Sequence, residues 1–345
     1  MPSPPKSIGS FRAFTRFLLA AVYFLVARVM AERGARGFVS EDWAPLVEQA
    51  MFAFLLIVGY AGFGFALDRQ IAGHLGSVGK QGLSRRTGWL GEIGLGVAFG
   101  WAIAVACVLP LVVFGGIALH FTFSAGAFVW LLADAAFFAF ATLAVQVAFR
   151  GYPLQSATRA IGELPAVLVL SVLYGIMQAW LPGASRASLC VQVVLGLLLS
   201  LAYVRTRALW LPWGLHFSWI ASRALLFGLP IHGVTSHSPV VQGDALASYA
   251  LSGGGFGLDG SWTAFVVLLV AMPFLYRATR DLSFIYNAPV LEPAGLEVDL
   301  DAAAKRQHEA ATRPEQPEIK PLVQILPVIS AHPLPPASEL DGPRD

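Results

Sequence analysis

Long apolar runs, separated by short segments with polar and charged residues, dominate this chain. The runs lack the alternation of apolar and polar positions that membrane β-strands show. Their length predicts membrane-spanning helices, because a helix satisfies all its backbone hydrogen bonds within one segment of lipid-embedded chain. The predicted spans are 13–31, 46–67, 88–118, 127–148, 164–182, 187–204, 208–230 and 261–277. The pattern therefore predicts an all-α, polytopic transmembrane bundle of about eight helices.

Two of these spans are unusual. In the first, Arg12, Arg16 and Arg28 shorten the apolar core to a length that also suits a signal peptide. No small-residue cleavage site follows, so a retained anchor is expected. The third span is too long for one perpendicular crossing and is expected to tilt, or to extend past the bilayer surface.

Composition supports the membrane assignment. The chain has 345 residues, of which 56% are hydrophobic and 13% are charged, and its mean hydropathy is +0.66. Soluble domains carry about 25% charged residues, and a charge at the bilayer centre is costly. The lipid bilayer is thus the expected partner. The net charge of +2 gives no reason to expect nucleic-acid binding.

Lysine and arginine near the span ends predict the orientation, because cytosolic flanks are enriched in these residues. If the N-terminus is cytosolic, the cytosolic flanks carry Lys6, Arg12, Arg16, Arg69, Lys80, Arg85, Arg86, Arg150, Arg159, Arg205, Arg207, Arg277 and Arg280. The opposite flanks carry Arg28, Arg33, Arg36 and Arg186. Both termini are therefore expected in the cytosol.

The chain divides into three predicted parts. Residues 1–45 form an N-terminal lead and first membrane anchor, and residues 46–285 form the membrane domain. Residues 286–345 are polar and rich in proline. This tail has too little apolar material to offset the entropy of ordering, so it is expected to be disordered. Its prolines also leave open a role as a docking ligand.

Three short segments resemble the sites of one enzyme family. Residues 145–151 read Val-Gln-Val-Ala-Phe-Arg-Gly, residues 174–178 read Tyr-Gly-Ile-Met-Gln, and residues 212–217 read Pro-Trp-Gly-Leu-His-Phe. This layout resembles the CPBP family of intramembrane metalloproteases, which includes CAAX prenyl endopeptidases and Abi-type proteins. That family usually has Glu-Glu-x-x-x-Arg, an aromatic residue followed four positions later by His, and His-x-x-x-Asn or His-x-x-x-Asp.

Two further segments extend the resemblance over roughly residues 77–275. Residues 253–260 read Gly-Gly-Gly-Phe-Gly-Leu-Asp-Gly, which is similar to a segment that precedes the last helix in bacterial members. Residues 78–80 read Val-Gly-Lys and lead into a glycine-rich stretch, similar to the family's entry into its third helix. The resemblance implies a helical membrane fold, peptidase ancestry and prenylated or other membrane-bound peptides as the substrate class.

The chemically important positions of the motifs are altered. The resemblance implies a divalent metal such as zinc, held by histidines and assisted by a glutamate base. Val145 and Gln146 stand at the glutamate positions, and Gln178 stands where the second motif has histidine. Valine is inert and glutamine cannot take up a proton as a carboxylate does. His216 is retained, but Ile220 replaces the polar residue four positions later, so no metal or other cofactor is expected.

The motif positions Gln146, Arg150, Gln178 and His216 are thus the candidate site residues, in an inactive form. We expect Gln146, Gln178 and His216 to form a neutral polar cluster inside the bundle. Arg150 has two interpretations, a carboxylate clamp or a flank residue that extends to phosphate headgroups, and the second is preferred because no glutamate is present.

Other titratable residues are not expected to replace the lost groups. His120, His232, His237 and Asp259 are predicted on the non-cytosolic side, away from Gln146 and Arg150. His74 and Glu92 lie on the cytosolic side, with no recognisable ligand spacing.

One ion pair is predicted from depth alone. Asp134 and Arg223 each lie about seven residues from the non-cytosolic end of their helices. Because unpaired charges in a membrane are costly and usually face a partner inside the bundle, we expect an Asp134–Arg223 ion pair with a structural role.

The sequence thus predicts a CPBP-like membrane protein with impaired or lost proteolysis. Its alternative is a membrane scaffold or binding protein that contacts a membrane-bound peptide or protein. A small-molecule transporter is disfavoured, because the spans contain few charged residues beyond Asp134 and Arg223.

Overall fold

The computed structural model describes residues 6–41, 43–67, 82–179 and 181–282, all within one compact unit, Met1–Pro289. Its helices are α1 Lys6–Phe38, α2 Ala44–Leu67, α3 Trp89–Val113, α4 Ala125–Arg150, α5 Tyr152–Ile161, α6 Glu163–Ala179, α7 Arg186–Thr206, α8 Trp210–Ala221, α9 Tyr249–Ser252 and α10 Trp262–Ala278. The predicted tail, the segment 78–80 and His74 lie outside the described residues.

The predicted membrane bundle is confirmed in its class. Five helical segments are long and apolar enough to cross a bilayer: Phe11–Phe38, Ala44–Phe63, Trp89–Val113, Ala125–Ile161 and Arg186–Thr206. Helices α6 and α10 are apolar but shorter. A π-helical turn, Ser222–Leu226, extends α8. The helix count exceeds the predicted eight because of two short helices, α5 after Gly151 and the single turn α9.

Serine residues define where three helices begin. The hydroxyl of Ser124 accepts a hydrogen bond from the backbone N–H of Ala127 at the start of α4, and Ser261 does the same for Ala264 at the start of α10. Ser185 and Ser188 form a reciprocal pair of such bonds at the start of α7. These caps satisfy backbone donors that the first helical turn leaves free.

The predicted third span, 88–118, is wrong at its end. Helix α3 stops at Val113, and Gly115 adopts a left-handed backbone with φ 72°. The chain then forms strand β1, Ile117–Phe121, which pairs antiparallel with β2, Val241–Ala245. The apolar run continues past the helix because β1 is also apolar, and hydropathy alone does not separate the two.

Helices α3 and α8 pack with their backbones in close contact. A Cβ atom on Gly96 would lie 2.3 Å from the carbonyl oxygen of Leu211, and one on Gly100 would lie 2.3 Å from that of Leu215. Small residues allow such close approach between membrane helices, where van der Waals contact drives association. This contact fixes the half of α8 that carries His216.

The core has two parts on either side of the candidate site. Buried side chains of α3, α7, α8 and α10 form one cluster, which includes Leu198, Leu215 and Trp219. Helices α1, α2, α4 and α5 form the other, which includes Leu56 and Tyr60. Helix α4 contributes to both clusters and carries the first motif between them.

Candidate functional site

The three motif segments converge in the structure. Gln146 and Arg150 lie in the last two turns of α4, Tyr174 and Gln178 lie in the second half of α6, and His216 lies in α8. Helix α4 ends at Arg150, and the chain turns at Gly151. The topology therefore brings the first, second and third motifs to one region of the bundle.

Gln146 and His216 form the centre of this region. The side-chain amide nitrogen of Gln146 lies 2.9 Å from Nδ1 of His216, and the two residues are 0% and 2% exposed. The phenol oxygen of Tyr174 lies 3.5 Å from the other ring nitrogen, Nε2. The sequence leaves open whether His216 pairs with Gln146 or with Gln178, and the structure places Gln146 at Nδ1. Both nitrogens of the imidazole thus face a neutral protein group.

Arg150 is buried beside them. One terminal nitrogen donates to the carbonyl oxygen of Gly196 at 2.8 Å, and the guanidinium carbon lies 5.6 Å from the centre of the Tyr174 ring. Its Nε and second terminal nitrogen have no hydrogen-bond partner among the described residues. Because Arg150 is only 1% exposed, the preferred interpretation of a headgroup-facing flank residue is wrong. Its guanidinium instead contacts Gly196 of α7 and Tyr174 of α6.

Gln178 belongs to a second polar group, which we call the His232 cluster: His232, Gln178, Gln192, Asp259 and Arg223. Nε2 of His232 lies 3.5 Å from the Gln178 amide nitrogen, 3.0 Å from the Gln192 amide nitrogen and 3.2 Å from Oδ2 of Asp259.

Gln178 links the His232 cluster to the motif residues. It contacts His232 and also Tyr174, whose phenol oxygen lies 3.5 Å from Nε2 of His216. The sequence predicts His232 and Asp259 away from Gln146 and Arg150, and in the structure His232 contacts Gln178 while Asp259 contacts His232. The reason is that the loop after α8 folds back onto the bundle, which a topology of straight spans does not reveal.

The glycine-rich segment places Asp259 in this cluster. Gly257 has φ 85°, and a Cβ atom there would lie 1.9 Å from the carbonyl oxygen of Pro230. Only glycine adopts this conformation at such close backbone approach without strain. His232 itself has φ 53°, which is uncommon for a residue other than glycine. The two loops therefore hold each other in one defined arrangement.

The predicted Asp134–Arg223 ion pair is wrong. Nη1 of Arg223 lies 3.0 Å from Oδ1 of Asp259, and both side chains are 1% exposed. Asp134 instead contacts Nδ1 of His237 at 2.9 Å and accepts a hydrogen bond from the backbone N–H of Ser238 at 2.9 Å. Both charges are paired, as expected, but loop residues supply the partners.

Burial and neighbouring charges set the protonation of the loop groups. Burial lowers the pKa of His232, and Arg223 lowers it further, against the opposite effect of Asp259. Burial raises the pKa of Asp259, but Arg223 and His232 together lower it by more, so it stays below its ordinary value. His232 is therefore neutral and Asp259 ionised near neutral pH.

A cavity of about 720 Å³ connects the two polar groups. Its wall is mostly apolar and includes Phe138, Phe149 and Met177. Tyr174, Gln178, His216 and His232 are among its polar lining residues, whereas Gln146 and Arg150 lie behind the wall.

The motif residues do not fit a zinc ion. His216 is the one imidazole among the four positions, its Nδ1 is engaged by Gln146, and the glutamate positions hold an amide and a valine. Zinc sites in proteins use three or four histidine, cysteine or carboxylate ligands. Across the described residues, no three side chains of histidine, cysteine, aspartate or glutamate are grouped so that they could hold a metal ion.

The fold and the polar interior define an α-helical integral membrane protein.

Residues 127–222 of the chain match a family model described as type II CAAX prenyl endopeptidase Rce1-like. This match runs from α4 to the start of the π-helical turn and contains all three motifs, and it covers less than a third of the chain. Over this segment the chain is similar to the CAAX-type endopeptidases of the CPBP family. No curated protein and no solved structure matches the chain.

Sequence reasoning missed Gln192 and the role of His237 as a partner of Asp134. Gln192 lies in the middle of an apolar helix, and a single amide there carries no spacing signal. The glycine-rich segment did point to Asp259, since glycines of this density predict tight turns. It gave no indication of which helices the turn would contact.

Proposed function

We infer that this protein is a CPBP-family member that has lost metal-dependent peptide cleavage and binds a membrane-embedded peptide or protein. The observation that carries this proposal is the hydrogen bond between Gln146 and His216. A neutral amide stands where the family places a carboxylate, and it engages the retained imidazole.

The chemistry supports loss of activity at two steps. Hydrolysis of a peptide bond needs a base that removes a proton from the attacking water. Gln146 cannot act as that base, and Val145 has no polar group. A polarising metal would need several imidazole or carboxylate ligands, and His216 has Gln146 and Tyr174 at its two nitrogens.

Binding remains possible because the cavity is retained. Its volume of about 720 Å³ lies in the range of roughly 300–1,000 Å³ that ligand sites occupy. Its mostly apolar wall suits a membrane-embedded segment. The distribution of lysine and arginine supports both termini in the cytosol. The resemblance of residues 253–260 to bacterial CPBP-type proteins supports a bacterial inner membrane.

A metal assay and a binding assay test the proposal together. The full-length protein, purified without chelators, is expected to contain far less than one equivalent of zinc per chain. A prenylated peptide labelled at both ends is expected to be retained by the protein and recovered intact. Stoichiometric zinc that is lost in a His216→Ala variant would overturn the proposal.

A further inference from the structure

The His232 cluster forms one polar part of the cavity wall, and Gln178 is its only member among the motif positions. His232 and Asp259 lie outside the family-matched segment 127–222. Gln178 and His232 both line the cavity, so this group is accessible from it.

The hydrogen-bonding capacity of this cluster exceeds what its members use. Three polar atoms, from Gln178, Gln192 and Asp259, lie within 3.5 Å of the same ring nitrogen of His232. One ring nitrogen either donates one hydrogen bond or accepts one. Oε1 of Gln192 also has no partner among the described residues, but Gln192 does not line the cavity. Gln178 and His232 do line it, so a group that enters the cavity meets donors and acceptors at these two residues that their neighbours do not fully use.

The charges around the cavity restrict what that group is. Arg28 lines the cavity and pairs with Glu48 at 3.0 Å, and Asp134 lines it and pairs with His237 at 2.9 Å. Behind the wall, Asp259 pairs with Arg223. Arg150, which has no described carboxylate partner, does not line the cavity and lies against Tyr174, beside Gln146 and His216. At the His232 cluster a charged ligand group would therefore lose its hydration without gaining a free countercharge, which is strongly unfavourable. A neutral group loses far less hydration free energy when it enters the cavity.

The rest of the cavity wall is apolar. Phe137, Phe138, Phe149, Met177 and Ile220 line it. Hydrocarbon that contacts these side chains is removed from water, which favours an apolar tail.

We propose that the cavity binds a neutral, single-chain amphiphile. Its hydroxyl or amide head bonds Gln178 and His232, and its hydrocarbon tail lies along the phenylalanines of α4. This inference goes beyond the proposed peptide binding, because it assigns a lipid-like ligand to the same cavity. The head is recognised by residues that the family's catalytic motifs do not include, apart from Gln178.

Probes with one tail and different heads test the proposal on the full-length protein in lipid nanodiscs. Monooleoylglycerol is neutral, oleate is anionic and oleylamine is cationic, and all three carry the same chain. Binding is measured by native mass spectrometry and by the shift in thermal unfolding. Monooleoylglycerol is expected to bind at least about tenfold more tightly than either charged probe, because each charged head is desolvated without a partner.

Two variants locate the head group. Gln178→Leu removes a head-group contact and is expected to weaken monooleoylglycerol binding about fivefold to tenfold, the cost of one lost hydrogen bond. Gln49→Leu makes the same chemical change at another cavity-lining glutamine, on α2, and is expected to leave binding unchanged.

Equal or tighter binding of a charged probe would overturn the proposal, as would absence of monooleoylglycerol binding to the wild-type protein. Equal weakening by the two variants would also contradict it. The wild-type comparison of the three probes remains decisive if Gln178→Leu does not fold. Peptide cleavage is scored separately: cleavage with normal amphiphile binding contradicts only the proposed function, and absent binding without cleavage contradicts only this inference.

Discussion

The side-chain amide of Gln146 contacts Nδ1 of His216 at 2.9 Å, across the interface between α4 and α8. The two residues occupy positions where the family places a carboxylate base and a histidine. In this chain they form a buried, neutral hydrogen bond, and the oxygen Oε1 of Gln146 is left without a partner. Arg150, one helical turn further along α4, also keeps two unpartnered nitrogens. The substitution at position 146 therefore leaves a buried cation without a described carboxylate partner.

Restoring the carboxylate is expected to stabilise the protein. In Gln146→Glu, the carboxylate lies on the same helix face as Arg150, four residues away. It would pair with a buried charge that now lacks a partner, and we expect a gain of roughly 1–3 kcal/mol in the free energy of unfolding. Thermal unfolding in detergent with a chelator present, which excludes stabilisation by metal, measures the effect.

Val145→Glu is the matched control for that substitution. Val145 packs against the apolar core and lines the cavity, so a carboxylate there is expected to lower the unfolding temperature. Equal destabilisation by both variants would show that the Arg150 environment does not accept an anion.

Arg223 and Asp259 are expected to be strongly coupled. Arg223→Met or Asp259→Asn alone leaves the other charge buried and unpaired, which costs roughly 3–5 kcal/mol. The double variant is expected to lose much less than the sum of the two. A double-mutant cycle from thermal unfolding measures this coupling.

A second cycle, with Asp134→Asn and Arg223→Met, tests the ion pair that the sequence predicts. Its coupling energy is expected to be within about 0.5 kcal/mol of zero, because the two residues have different partners. A larger coupling between Asp134 and Arg223 than between Arg223 and Asp259 would contradict the structure.

Alanine substitution in the glycine-rich loop is expected to lower stability at Gly257 and to have little effect at Gly255. Gly257→Ala forces a Cβ atom to 1.9 Å from the carbonyl oxygen of Pro230 in a left-handed conformation. We expect a loss of about 1–3 kcal/mol in unfolding free energy. A Cβ atom on Gly255 meets nothing within 4 Å, so Gly255→Ala is expected to change stability by less than about 0.5 kcal/mol. Equal effects of the two variants would contradict the described loop conformation.

Stability is expected to fall as the pH is lowered from 7 to 5, and His232 accounts for part of this fall. Its pKa in the folded protein is lower than the unfolded value near 6.5, because of burial and Arg223. Below about pH 6.5 the unfolded chain therefore binds a proton that the folded chain resists, and stability decreases. The pKa of Asp259 is also lowered, so its contribution is lost only below about pH 4, outside this window.

The variant His232→Asn tests this pH dependence, since asparagine tolerates a positive φ and does not titrate. The unfolding temperature of this variant is expected to fall less between pH 7 and pH 5 than that of the wild type. His120→Asn is the control, because His120 is exposed and pairs with the exposed Asp244. A pH profile for His232→Asn that is parallel to the wild-type profile would contradict the assigned role.

The sequence predicts the helices well because hydropathy acts locally. The apolar runs locate α2, α4, α7 and α10, and the family resemblance implies that Gln146, Gln178 and His216 share one site. The Gln146–His216 contact follows from a family layout in which these two positions share one site. The part of the site that the motifs form can therefore be predicted from the sequence.

The other contacts of the site depend on tertiary packing, including how the loop after α8 folds onto the bundle. No local sequence pattern predicts this packing. Depth along the spans predicts an Asp134–Arg223 pair, because that pattern contains only residues inside the spans. In the structure, His237 and Asp259 from the loops are the partners. The end of α4 predicts a surface position for Arg150, but its side chain is buried against Gly196 of α7 and Tyr174 of α6.

Turnover of a prenylated peptide by the purified full-length protein tests the central claim most directly. With zinc supplied, the account predicts no cleaved product above a protein-free blank, because position 146 provides no base and the motif residues do not hold a metal. Cleavage that a chelator abolishes, and that His216→Ala also abolishes, would contradict it.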